Sequence, residues 1–225
     1  MNLKNTIQII LALALIFYPV TATQKLPTFN PPHYEIEGLV KYKNTYVSCS
    51  DPILMKIILN SFKRLEEYGF ILPKTVVVER DEFSYTTKSP AIQDPSDGLI
   101  LGDTDVMSNI CYINNYSYKY DLNAQYHTIF HEIGHVNHLS RVLATKQPTF
   151  IYEKLMGKTD KEDKDFTKLK PEIELVLGKY AISSEFEFVA EYFAAMLQGQ
   201  DLPDNLGVLY DKFGGPEPKL PVKKP

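Results

Sequence analysis

Asn123-Ala124-Gln125-Tyr126-His127-Thr128-Ile129-Phe130-His131-Glu132-Ile133-Gly134-His135-Val136 is the stretch on which the reading of this chain turns. Its apolar residues Tyr126, Ile129, Phe130, Ile133 and Val136 recur at helical spacing, and the pattern predicts a helix over Asn123–Val142. Inside it, His131-Glu132-Ile133-Gly134-His135 has the form H-E-x-x-H. Residues four apart on a helix share one face, about 6 Å apart along the axis, so two neutral imidazoles can hold one Zn²⁺. Such a metal lowers the pKa of a water, and the intervening Glu132 is placed to take the water's proton as it attacks a carbonyl. Gly134 leaves room for a close neighbour. The plainer alternative is an amphipathic helix whose histidines are simply solvated or buried.

A zinc site that keeps an open position needs a third protein ligand. His138 follows His131 by seven residues and faces nearly the same side, but about 10.5 Å further along the axis. One zinc about 2.1 Å from each ligand nitrogen cannot span that distance. Ten residues after His131, where a metzincin would place its last histidine, stands Arg141. His138 is therefore expected behind the ligands, at the rim or in solvent, and His127 one turn before His131. The ligand is sought instead in Ser184-Glu185-Phe186-Glu187-Phe188-Val189-Ala190-Glu191. Glu187 and Glu191 are four apart on an apolar-flanked face, which calls for a cation nearby. Glu187 is the first candidate ligand, with Glu191 orienting a histidine nitrogen from one turn on. Glu191 and Glu185 are the second and third candidates for the ligand itself. A capping box of Ser184 with Glu187 accounts for Glu187 without a metal, but not for Glu191.

Tyr180, followed seven residues later by Glu187-Phe188-Val189-Ala190-Glu191 and lying downstream of the HEIGH motif, resembles the catalytic domain of anthrax-lethal-factor-like zinc endopeptidases. That group includes small secreted Pro-Pro endopeptidases. The resemblance covers roughly Asn123 to Phe213. It implies a zincin-like α+β fold with one Zn²⁺ on His131, His135 and Glu187. It further implies Glu132 as general base and Tyr180 as a donor to the transition state. Val189 stands where the family has an aromatic, and His138 is additional.

The rest of the chain fits an α+β order, a small mixed sheet over an active-site helix with a helical C-terminal half. Asp51 and Pro52 predict the start of a helix that Gly69 ends, and Thr75–Val78 reads as a strand. Gly98–Leu101 and Ile110–Ile113 are short apolar runs that could pair, and Leu99–Leu101 or Ile110–Ile113 is expected to offer an edge to extended substrate. Lys154–Lys170 reads as a solvated charged stretch, Pro171–Leu177 as a short helix, Ser183–Gln198 as a strong one and Leu202–Phe213 as a terminal one.

Composition narrows the rest. The 225 residues carry 24 Lys+Arg against 28 Asp+Glu, a formal charge of −4. With no long basic run, nucleic acid is not an expected partner. Ile7–Tyr18 is almost wholly apolar and is followed by Pro19 and Val20-Thr21-Ala22. Residues 1–22 therefore read as a signal peptide, the alternative being an uncleaved anchor for which the apolar run is short, and the mature protein as secreted, extracellular or periplasmic. Residues 23–213 form one expected catalytic domain, monomeric, and 214–225 a flexible Pro/Lys-rich tail. Cys49 and Cys111 make either one disulfide or two buried thiols. The expected function is cleavage of a protein or peptide substrate. The alternatives are a zinc hydrolase of another amide and a silent zinc-stabilised binding protein.

Overall fold

A computed structural model describes residues 39–79, 102–114 and 122–219. The signal segment 1–22, Leu99–Leu101 and residues 220–225 lie outside these. Among the described residues no helix is long and apolar enough to cross a membrane.

The architecture is mixed α+β. Strands β1 (Leu39–Tyr42) and β2 (Thr45–Ser48) form a hairpin and lead into helix α1 (Pro52–Glu67). The Asp51 side chain accepts from the Ile53 and Leu54 amides, and Pro52 occupies a position whose missing N–H costs nothing. Strands β3 (Thr75–Glu79), β4 (Gly102–Asp105) and β5 (Ile110–Asn114) complete one sheet of order β1-β2-β3-β5-β4. β2, β3 and β5 run parallel, whereas β1 and β4 are antiparallel to their neighbours. Ile110–Ile113 is thus paired on both sides, contrary to the expectation that it offers an edge, and β4 is the edge strand on that side of the described sheet.

The helical half follows: α2 (Leu122–Thr145), α3 (Thr149–Leu155), α4 (Lys164–Leu177), a 3₁₀ turn (Lys179–Ile182), α5 (Glu185–Leu197) and α6 (Asp204–Lys212). α2 and α5 pack face to face at Gly134. A Cβ there would lie 3.0 Å from Phe193 Cδ1 and 3.4 Å from the Ala190 Cα, so only the missing side chain lets the two backbones approach so closely. The core runs from the sheet through this seam, with Val76, Cys111, Ile129, Ile133, Phe188 and Phe193 all buried.

Two expectations are corrected, and one open alternative is decided. The Lys154–Lys170 stretch is not one element: Lys154 and Leu155 end α3, and Lys164–Lys170 continues without a break into the expected Pro171–Leu177 helix to form α4, with Pro171 inside. The Asp163 side chain caps the Asp165 and Phe166 amides, and Phe166 and Ile173 are fully buried on either side of the proline, which offsets the backbone hydrogen bond it gives up. Residues 214–219 are not a loose tail. Tyr210 donates to the Pro216 carbonyl at 2.7 Å, and the Lys219 amide to the Tyr68 carbonyl at 2.8 Å, which straps this segment back over α1. Cys49 and Cys111 are separate buried thiols. Cys49 follows β2 and Cys111 lies on β5, with β3 between, and two strand spacings of about 4.8 Å exceed the reach of a disulfide.

Candidate metal centre

The close approach at Gly134 brings the first turns of α5 against the middle of α2. Ser184 caps α5, its hydroxyl accepting from the Glu187 amide at 3.2 Å, and this fixes the carboxylate at the helix start. His131 Nε2, His135 Nε2 and Glu187 Oε2 then form a triangle with every side 3.1 Å. Ligand atoms about 2.0–2.1 Å from a tetrahedral Zn²⁺ are about 3.3 Å apart, so the triangle has the size of three corners around one ion. A proton shared along one edge leaves the third atom's lone pair facing two others; a cation serves all three. His131, His135 and Glu187 could hold a metal ion, and they are the two-plus-one set sought from sequence.

Burial works against a charged Glu187, but His135 and His131 beside it outweigh that and hold its carboxyl well below the ordinary range. His131 is 1% exposed. Its Nδ1 lies 3.0 Å from Glu191 Oε1, an ion-pair contact rather than a straight hydrogen bond, which favours the ring proton on Nδ1 and leaves Nε2 free to ligate. The neighbouring histidines outweigh burial at Glu191 too, bringing it down to about 2. Glu191 thus backs His131 as expected. Glu185, the third candidate ligand, is elsewhere: fully buried, it pairs with Lys154 and accepts from the Asp163 amide at 2.9 Å.

Glu132 is 1% exposed and turns toward β4. The Thr104 hydroxyl lies 2.5 Å from Glu132 Oε2, while Glu132 Oε1 has no partner among the described residues. Burial raises the Glu132 carboxyl above its ordinary range, only partly opposed by His131, His135 and Thr104. A Cβ at Gly102 would fall 2.6 Å from Glu132 Oε1, so this strand position admits no larger residue without moving the glutamate. Tyr180, in the 3₁₀ turn, packs its ring 5.7 Å from that of His131, and burial followed by the Glu187 carboxylate pushes its phenol far above the usual value. The phenol therefore stays protonated at neutral pH.

His138 is corrected. It is fully buried and its Nε2 donates to the Phe213 carbonyl at 2.9 Å, so it anchors the chain after α6 rather than backing a metal ligand. Burial brings it down to about 4, which keeps it neutral. Sequence reasoning missed Gly102 and Thr104. A glycine and a threonine two apart in a short strand carry no sign of which helix residue they will meet. It also left unassigned His127, whose Nε2 lies 2.7 Å from Glu191 Oε2.

The chain matches no protein-family model, no curated protein and no solved structure.

Proposed function

We propose that the chain is a secreted, zincin-like, zinc-dependent endopeptidase. The observation that carries the reading is the 3.1 Å triangle of His131, His135 and Glu187 with Glu132 on the same helix turn. Zn²⁺ in that triangle would supply Lewis-acid activation of a water and of the scissile carbonyl. Glu132 accepts the water's proton and returns it to the leaving amine, a role suited to a carboxyl that burial raises above its ordinary range. Thr104 fixes one of its oxygens and leaves Oε1 for the proton. Tyr180, protonated and packed on His131, donates to the oxygen on which negative charge develops.

The β4 edge beside Glu132 supports a polypeptide substrate, because an extended chain can add to it as a further strand and bring its own carbonyl over the centre. The spacing of Tyr180, Glu187 and Glu191 that resembles lethal-factor-like peptidases supports the same reading. Profiling of cleavage in a diverse peptide library, with and without a chelator, tests it. Internal cuts that vanish with chelator and return with zinc are expected. A zinc-loaded protein that cuts no peptide sends the reading to another amide or to a silent binding protein.

A further inference from the structure

His127 is the first histidine of the α2 cluster and has no part in the chemistry described so far. Both its nitrogens are engaged: Nε2 lies 2.7 Å from Glu191 Oε2, and Nδ1 lies 2.8 Å from Gln198 Oε1. The orientation of the Gln198 amide is set by a third contact, its Nε2 donating to the Asn123 carbonyl at 2.8 Å. The oxygen of Gln198 therefore faces His127, and both ring nitrogens donate. Glu191, 8% exposed, is held from both sides, by His127 on one oxygen and by His131 Nδ1, 3.0 Å away, on the other. The contacts form one chain between α2 and α5: Asn123, Gln198, His127, Glu191, His131.

His127, His131 and Glu191 also lie close enough together to be ligands of a metal themselves. Two distances speak against that. The 2.7 Å from His127 to Glu191 is a charge-assisted hydrogen-bond length, well under the roughly 3.3 Å between co-ligands of one zinc. The second nitrogen of His127 is already committed to Gln198.

We propose that His127 is a positioning residue of the metal centre: braced by Gln198, it fixes the Glu191 carboxylate, which in turn holds His131 with Nε2 toward the metal. The inference rests on the reading of His131, His135 and Glu187 as ligands. Without His127, Glu191 Oε2 is a buried oxygen without a donor, the carboxylate is free to rotate, and His131 loses its fixed orientation. The outer end of the chain is solvent-facing: Asn123 and Gln198 line a cleft with Asn60, Arg64, Tyr126 and Phe130.

Zinc affinity, measured by competition with a chromophoric chelator on the full mature chain, tests this without any substrate. His127→Ala is expected to weaken zinc about 10-fold, the lower end of the effect of removing a group that orients a ligand directly, because His127 acts through Glu191. His127→Gln, whose amide N–H reaches the place of Nε2, is expected to restore most of the loss. Gln198→Met, at an exposed position where folding is not at stake, is expected to weaken zinc severalfold. Wild-type affinity in both His127→Ala and Gln198→Met overturns the inference while leaving the metal site standing. Two zinc ions per wild-type chain overturn it in favour of His127 as a ligand. A wild-type protein that takes no zinc removes the inference together with the site it rests on.

Discussion

Gly102→Ala adds one methyl group and is expected to disable the centre without emptying it. Gly102 does not have the positive φ that only glycine adopts readily, so alanine brings no backbone strain and its cost is one of contact. The new Cβ would lie 2.6 Å from Glu132 Oε1, 2.8 Å from Cγ and 2.9 Å from Cδ. Against an ordinary contact of about 3.4 Å these are overlaps of roughly 0.5–0.8 Å with three atoms at once. Swinging the carboxylate aside is blocked, because Oε2 is held by Thr104 at 2.5 Å and the side chain is 1% exposed. Either Glu132 shifts by somewhat under 1 Å or β4 lifts from α2. Displacing a catalytic group by about 1 Å costs on the order of 100-fold in rate, and overpacking a buried site costs about 1–3 kcal/mol. Gly102→Ala should therefore lower kcat by about 30- to 100-fold on a peptide that the wild type cuts, with one zinc still bound, since no ligand is touched. Peptide turnover and metal content on the same preparation check this. Wild-type kcat together with wild-type stability would refute the close approach of β4 to Glu132.

Tyr180→Phe keeps the ring against His131 and removes only the donor. It should lower kcat about 100-fold with little change in zinc content or Tm, and an unchanged kcat returns Tyr180 to a packing role. Metal analysis should find one zinc per chain, lost in Glu187→Ala and kept in His138→Gln, whereas the reverse pattern contradicts the ligand assignment. Because burial holds His138 at about 4 while the unfolded chain titrates it near 6.5, the unfolded state binds more protons between those values. The stability it contributes is present above about pH 6.5 and lost as pH falls toward 4. This amounts to about 2 kcal/mol at pH 5, and urea midpoints at pH 7.5 and 5 should show a correspondingly shallower dependence in His138→Gln.

What sequence made legible is what is local. The HEIGH spacing places His131 and His135 on one helix face whatever the rest of the chain does, and Ser184 with the glutamates after it marks the start of α5. Asp51 and Pro52 announced α1 in the same way. Residues brought in from elsewhere were not legible. Gly102 and Thr104 reach Glu132 only because β4 is placed at the sheet edge by its pairing with β5, a non-local choice. His138 shares nearly the same helix face as His131, and only the return of the chain after α6 to offer the Phe213 carbonyl makes it an anchor. The prolines after Gly214 read as a loose tail because composition carries no record of the hydrogen bonds that Tyr210 and Tyr68 make with it. Pro171 misled in the opposite direction: it reads as the first residue of a short helix, but it lies inside α4, where Phe166 and Ile173 bury on both sides of it.

Turnover by zinc-replete Glu132→Gln, set beside wild type on the same peptide, tests the central claim most directly. The amide has nearly the shape of the carboxylate and can keep the Thr104 contact, but it cannot accept a proton from water. The account predicts a folded protein with one bound zinc and hydrolysis reduced at least about 1,000-fold, within the range that general-base catalysis supplies. Hydrolysis close to the wild-type rate by a fully zinc-loaded Glu132→Gln protein would contradict it.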